Sequence, residues 1–308
     1  MGADLVSQAL QGDRRAIARL ITAVENQSPD LLVMMARVHE GIAARGNNHA
    51  IVVGITGPPG AGKSTLIDQF IRRLRTQKKK VSVVAIDPSS PFSGGALLGD
   101  RIRMQDHFLD EDVFIRSLGT RGSHGGVSRA TRDVVKIFAA SGSEWIIVET
   151  VGVGQTELDI MEIADTTVVV LTPESGDTIQ TMKAGLLEIA NIFAVNKSDR
   201  DGAIAVRQAL ESMIELGGTK PWHVPVMLLQ ADKGTGVDEL LETILQHRAT
   251  QSDGARADKV AKVRQQEVEA IVFDEVRKRV GTLLKGKLNR AETNPYRLAG
   301  EISKRIKI

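Results

Sequence analysis

The chain contains no cysteine. That absence excludes a disulfide framework, a thiolate metal centre and a cysteine nucleophile. Long apolar runs are missing as well, and none approaches the ~20 residues that a bilayer-spanning helix needs. The opening residues Met1-Gly2-Ala3-Asp4 carry neither a basic nor an apolar leader segment, so a cytoplasmic location is the expectation. One-sided charge is also absent. The 40 Lys+Arg against 38 Asp+Glu leave a net charge of +2, too balanced to argue for nucleic acid or a membrane as partner. The run Lys78-Lys79-Lys80 between a helix and a strand reads as a solvated turn. What the 308 residues do hold is 42% hydrophobic side chains, ample for one large α/β domain with extensions or for two small domains.

Residues 1–48 place Leu5, Ala9, Ile17, Leu20, Ile21, Leu31, Leu32, Met35 and Val38 at three- and four-residue steps, the spacing of helices. From about 50 to 247 the pattern alternates. Strands are expected at 50–56, 81–87, 113–117, 145–149, 167–171, 192–196 and 224–229. Helices are expected near 64–75, 127–140, 178–190, 204–216 and 237–247. Such alternation means βαβ units and a mostly parallel sheet covered by helices on both faces. A polar linker is expected at 249–258, then a helix over 259–284 with Val260, Val263, Val268, Ile271, Val272, Val276, Val280 and Leu283 in an apolar stripe. Either this helix packs back on the core or it is a dimerising arm, because a stripe of this length must be covered. The expected division is an N-terminal helical extension (1–48), a nucleotide-binding α/β domain (49–248), and a linker with a C-terminal helical arm (249–308).

Gly57-Pro58-Pro59-Gly60-Ala61-Gly62-Lys63-Ser64-Thr65 is a complete phosphate-binding loop between a strand pattern and a helix pattern. Its glycines let successive backbone N–H groups turn inward to cradle the α- and β-phosphates. Lys63 is placed for the β- and γ-phosphates and the Ser64 hydroxyl for Mg²⁺. Strand, glycine-rich loop and helix in that order define a P-loop NTPase fold. In such sheets ligands bind beyond the carboxyl ends of the strands.

Asn196-Lys197-Ser198-Asp199 closes an apolar strand and matches the N-K-x-D guanine-reading motif. A carboxylate at Asp199 accepts from guanine N1–H and N2–H₂. Adenine offers neither donor, so it would leave the carboxylate unpaired. The aliphatic stem of Lys197 can lie along the base. Gln230-Ala231-Asp232 follows the last strand and suits the loop that closes over guanine O6. Glu149 ends the apolar strand 145–149, where burying an unpaired carboxylate would be costly. It therefore reads as a Mg²⁺ ligand through water or through the surrounding shell, and Gly152 would give its N–H to the γ-phosphate.

Asp87 ends another apolar strand and opens a long Gly/Ser/Pro-rich loop that runs to Asp100. Asp87 could bind Mg²⁺ through water, and Asp100 could position the attacking water or the metal. Either can equally be a helix cap or a turn acid. Arg121 and His124 in the loop 119–126 could reach a phosphate or a partner, or simply face solvent. In Ras-type GTPases a Gln follows the glycine of the metal-strand motif and orients the attacking water. Here Val153 takes that place, with Gln155 two residues later. Slow intrinsic hydrolysis, accelerated by a partner, is the expectation.

With D-P-S-S-P-F-S-G-G-A-L-L-G-D-R-I-R-M from Asp87 and E-T-V-G-V-G-Q-T-E from Glu149 between the phosphate loop and N-K-S-D, the chain closely resembles the MeaB/ArgK family of P-loop GTPases along essentially its whole length. The resemblance implies a homodimeric GTPase that uses GTP/GDP and Mg²⁺. Its expected partner is a cobalamin-dependent acyl-CoA mutase of the methylmalonyl-CoA type, whose cofactor loading and protection it gates. It carries phosphate and Mg²⁺ roles onto Lys63 and Ser64, metal and hydrolysis roles onto Asp87, Asp100 and Glu149, and base recognition onto Asn196, Lys197 and Asp199. Segment 172–185 resembles a further switch toward the mutase, with Asp177 and Lys183 as candidates. Two other functions compete. A small-molecule kinase or transport-system ATPase needs an acceptor pocket and base that the sequence does not display. A nickel-type metal-insertion GTPase needs a transferable-metal site, which zero Cys and six scattered His do not supply.

Overall fold

Seven strands carry the architecture: β1 (Ile51–Thr56), β2 (Val81–Asp87), β3 (Val113–Gly119), β4 (Trp145–Thr150), β5 (Thr166–Leu171), β6 (Ile192–Val195) and β7 (Val226–Leu228). In the computed structural model they form one sheet of order β3-β2-β4-β1-β5-β6-β7, with every strand pair parallel. The structure describes residues 2–46, 50–87, 104–119, 129–150, 156–175, 185–217, 221–251, 253–285 and 294–306. The strands lie where the apolar runs predict, with ends shifted by at most two residues. All residues of β4, β5 and β6 are buried, as expected of a parallel sheet covered on both faces.

Alternation along each strand sends side chains to opposite faces. In β4, Ile146 and Val148 join one core cluster with helices α1 (Gly2–Leu10), α2 (Arg14–Glu25), α3 (Leu31–Ala44) and the helix Arg129–Ala140. Trp145 and Ile147 join the other, with α4 (Lys63–Thr76) and the helix Val237–Thr250. The N-terminal helices thus share a core with the sheet. Their junctions are specified locally: Asp13 caps α2 by accepting from the Ala16 N–H at 2.7 Å, and the Arg14 guanidinium lies 5.3 Å over the Phe114 ring, a cation–π contact. A third cluster packs the helix Ala203–Leu216 against Phe193 and Val195.

The chain divides into a unit of residues 1–250 and one of residues 251–308. The second contains the 33-residue helix Asp253–Lys285 and the helix Pro295–Ile306. This corrects the expectation of a linker at 249–258. The preceding helix runs to Thr250 and the next begins at Asp253, because Ala255, Arg256 and Ala257 are strong helix formers and the single Gly254 costs only about 1 kcal/mol. Among the described residues no helix is long and apolar enough to cross a membrane.

Candidate functional site

The strand order reverses at β1, which pairs with β4 on one side and β5 on the other. The crevice beyond its carboxyl end is where such a sheet binds ligands. β1 and β4 run in register, Ile55 opposite Glu149, so both end at the same height. Buried Thr150 donates its hydroxyl to Thr56 Oγ1 at 2.8 Å, joining the two tips. The loop 57–62 then leads into α4, whose fourteen residues have no acidic side chain in the first turn and Arg73 and Arg75 in the last. The positive end of the helix dipole is therefore left facing the loop, a ready anion site.

Lys63 is 7% exposed. Its Nζ donates to the carbonyl oxygens of Gly57 at 2.7 Å and Pro58 at 3.0 Å. Next to it, the Ser64 hydroxyl donates to Glu149 Oε1 at 2.9 Å in a buried bond. That direct contact is tighter than the sequence pattern suggested, since it joins the two oxygen-bearing side chains before any metal is considered. Thr65 is half-buried in the first turn of α4, and Pro59 and Gly60 are exposed at the loop's crest.

Asn196 binds the site together. It is 3% exposed. Its Nδ2 donates to the Ala61 carbonyl at 2.8 Å, and its Oδ1 accepts from the Ala231 N–H at 3.0 Å. One side chain thus spans the phosphate loop and the turn after β7. The approach explains Gly62, which adopts φ +89° and whose added Cβ would lie 2.3 Å from Asn196 Nδ2. Lys197, at φ +56°, turns its Nζ onto the Gly60 carbonyl at 2.8 Å. The Ser198 N–H bonds Leu229 O at 2.9 Å and the Arg200 N–H bonds Lys197 O at 3.0 Å, leaving Asp199 exposed at the tip. Gln230 pairs with Thr235 across the facing turn. Ala231 is buried there and Asp232 exposed.

The structure therefore brings 57–65, Glu149, Asn196, Lys197, Asp199 and 230–232 around one crevice. Asp87 closes β2, and its side chain lies outside the described ones. Asp100, Arg121, His124, Gly152, Val153, Gln155, Asp177 and Lys183 lie outside the described residues. Sequence reasoning missed the Thr56–Thr150 pair and the double duty of Asn196. Neither is visible without knowing that β1 is flanked by β4 and that the chain returns to it from residue 196.

An ion pair sits beside the Asp199 turn. Glu174, in the short 3₁₀ turn Pro173–Ser175 after β5, bonds Arg200. That hydrogen bond from Arg200, aided by the backbone N–H of Glu174 and the Thr172 side chain, pulls the Glu174 carboxyl from the ordinary 4.5 to about 2. A carboxyl depressed in the folded state stabilises it above pH 4.5, and that contribution is lost as pH falls toward 2. In the Arg200→Ala variant the Glu174 carboxyl should move up toward the ordinary glutamate range, observable by NMR titration. An unmoved titration would show that Arg200 is not the cause.

Comparison with known proteins agrees with this geometry. The family model described as methylmalonyl-CoA mutase-associated GTPase MeaB matches residues 17–284. A protein of Pyrococcus horikoshii, provisionally named a GTPase, is 48% identical over 282 residues, covering 90% of this chain and 87% of that one. The GTPase ArgK of Escherichia coli is 34% identical over 273 residues, covering 87% and 81%. A crystal structure of a LAO/AO transport system kinase superposes with a TM-score of 0.67 at 25% identity, over 100% of this chain and 98% of that one.

Proposed function

The chain belongs to the family of methylmalonyl-CoA mutase-associated GTPases, and from that membership we propose that it binds a cobalamin-dependent acyl-CoA mutase and uses GTP hydrolysis to gate the loading and protection of the mutase's cofactor. The GTPase activity belongs to the family as a whole. The observation that carries the nucleotide reading is the Asn196 side chain, which joins the phosphate loop to the turn at Ala231. It sets the base-reading and phosphate-holding halves of one crevice at a fixed spacing.

In the proposed mechanism Lys63 leaves the Gly57 and Pro58 carbonyls for the β- and γ-phosphate oxygens, where its charge offsets what develops in phosphoryl transfer. The Ser64 hydroxyl and Glu149 carboxylate are hard oxygen donors, the kind Mg²⁺ takes. Their bond at 2.9 Å keeps both aimed at one point. Ser64 would hold the ion, and Glu149 would orient it through water. Bound there, Mg²⁺ would supply neutralisation of the phosphate charge. Asp87, Asp100 and Gly152 carry the family's metal, water-positioning and γ-phosphate roles in this proposal. Asp199 reads the guanine edge, and the Ala231 turn closes over O6.

We also infer a cytoplasmic homodimer. Support for the dimer comes from the helix Asp253–Lys285, where Val268 and Val272, four residues apart on one face, are both more than half exposed, a pair that a second copy would cover. The kinase reading rests on the name of one structural neighbour and on no residue of the crevice among the described ones. GTP turnover with and without a purified cobalamin-dependent acyl-CoA mutase tests the partner. The chain alone should turn over far below ~1 s⁻¹ for want of a water-orienting Gln after Gly152, and the mutase should raise the rate severalfold. Unchanged turnover with excess mutase would contradict the partner.

A further inference from the structure

Behind the turn that follows β7 lies a residue that the catalytic motifs do not include. The turn is closed by two reciprocal bonds, Gln230 N–H to Thr235 O and Thr235 N–H to Gln230 O, each 3.1 Å. In front, the Ala231 N–H is held by Asn196. From behind comes Arg73, about three turns along α4 from Lys63. Its Nε donates to Asp238 Oδ1 at 2.9 Å and Oδ2 at 3.2 Å. One terminal nitrogen reaches the Gly234 carbonyl at 3.5 Å, and the other donates to Gln69 Oε1 at 3.3 Å. Gly234 adopts φ +72°, and a Cβ there would lie 2.7 Å from the guanidinium. Glycine at 234 takes the positive φ without strain and leaves the guanidinium room to lie against the turn.

We propose that Arg73 is a positioning residue for guanine recognition, tying the turn that carries Ala231 to the same helix whose first turn carries Lys63 and Ser64. This rests on the reading of Asp199 and Ala231 as the base site. A helix is stiff, so a contact at its far end and a phosphate site at its near end hold the two ends of the nucleotide in register. Arg73 anchors three points at once: the Asp238 carboxylate in the first turn of the next helix, the Gly234 carbonyl, and Gln69 on its own helix. A planar guanidinium can do this and an ammonium cannot. The side chains of Arg73 and Asp238 are 32% and 64% exposed. Such a pair adds little to global stability, so the effect of losing it should concentrate in the turn it holds.

The test uses the full chain with Arg73→Ala and Arg73→Lys. GDP affinity, single-turnover hydrolysis at saturating GTP, and thermal midpoint are measured for each. Arg73→Ala should weaken GDP binding about three- to fivefold and leave the saturated hydrolysis rate and the midpoint essentially unchanged. Arg73→Lys should not restore the affinity. Unchanged GDP affinity would overturn the proposal. So would a parallel fall in affinity, hydrolysis and midpoint, which is the pattern of a merely structural contact, and so would full rescue by lysine. Failure of the underlying reading shows separately, as retention of full GDP affinity by the Asp199→Asn variant.

Discussion

Lys63→Ala should lower kcat/KM for GTP by roughly 10²- to 10³-fold, the loss expected when a charged group aimed at the transferring phosphoryl is removed. The fold should survive it. Lys63 bonds to carbonyls of its own loop, while the core beneath is built from Leu66, Ile67, Phe70 and Ile71, all with zero exposure. Alanine is the best helix former, so the first turn of α4 is retained. Burying the ammonium carries a desolvation cost that the variant no longer bears. Turnover and a thermal melt on the same preparation separate the two effects. A variant that unfolds would show that the loop lysine supports the structure rather than the chemistry, and a variant with native turnover would remove Lys63 from the mechanism.

Asp199→Asn should weaken GDP by roughly 10- to 100-fold, the equivalent of one or two charge-assisted hydrogen bonds. The backbone around the residue is held by Ser198 and Arg200 N–H bonds to Leu229 and Lys197, so the exchange alters chemistry and not the turn. An asparagine offers one acceptor and one donor where guanine presents two donors. Xanthine replaces the 2-amino group by a carbonyl and matches the new pair, so xanthosine diphosphate should gain affinity for the variant as GDP loses it. Equilibrium titration with both nucleotides decides it. Undiminished GDP binding would show that Asp199 does not read the base.

Much of this architecture was legible before any coordinates. The apolar runs that became β4, β5 and β6 are fully buried on both faces, so their patterns read as near-continuous hydrophobic stretches with polar residues only at the strand ends. The phosphate loop and N-K-S-D were equally plain, because local backbone demands fix their residue types. Less legible were contacts that depend on strand order. The Asn196–Ala61 bond joins residues 135 positions apart, and Arg73–Asp238 joins residues 165 apart. Neither leaves a local signature. The expected linker failed for a different reason: a Ser/Asp/Gly-containing stretch resembles a loop, but its alanines and arginine sustain a helix at the cost of one glycine.

The most direct measurement is the turnover of GTP and ATP by the purified native chain, side by side at matched concentrations with Mg²⁺. If Asp199 and the Ala231 turn read guanine as argued, GTP is hydrolysed and ATP is disfavoured by at least ~10²-fold in kcat/KM, because adenine leaves the Asp199 carboxylate without the two donors that guanine gives it. Equal or preferential turnover of ATP would contradict the base-reading site and with it the assignment of this crevice to guanine nucleotides.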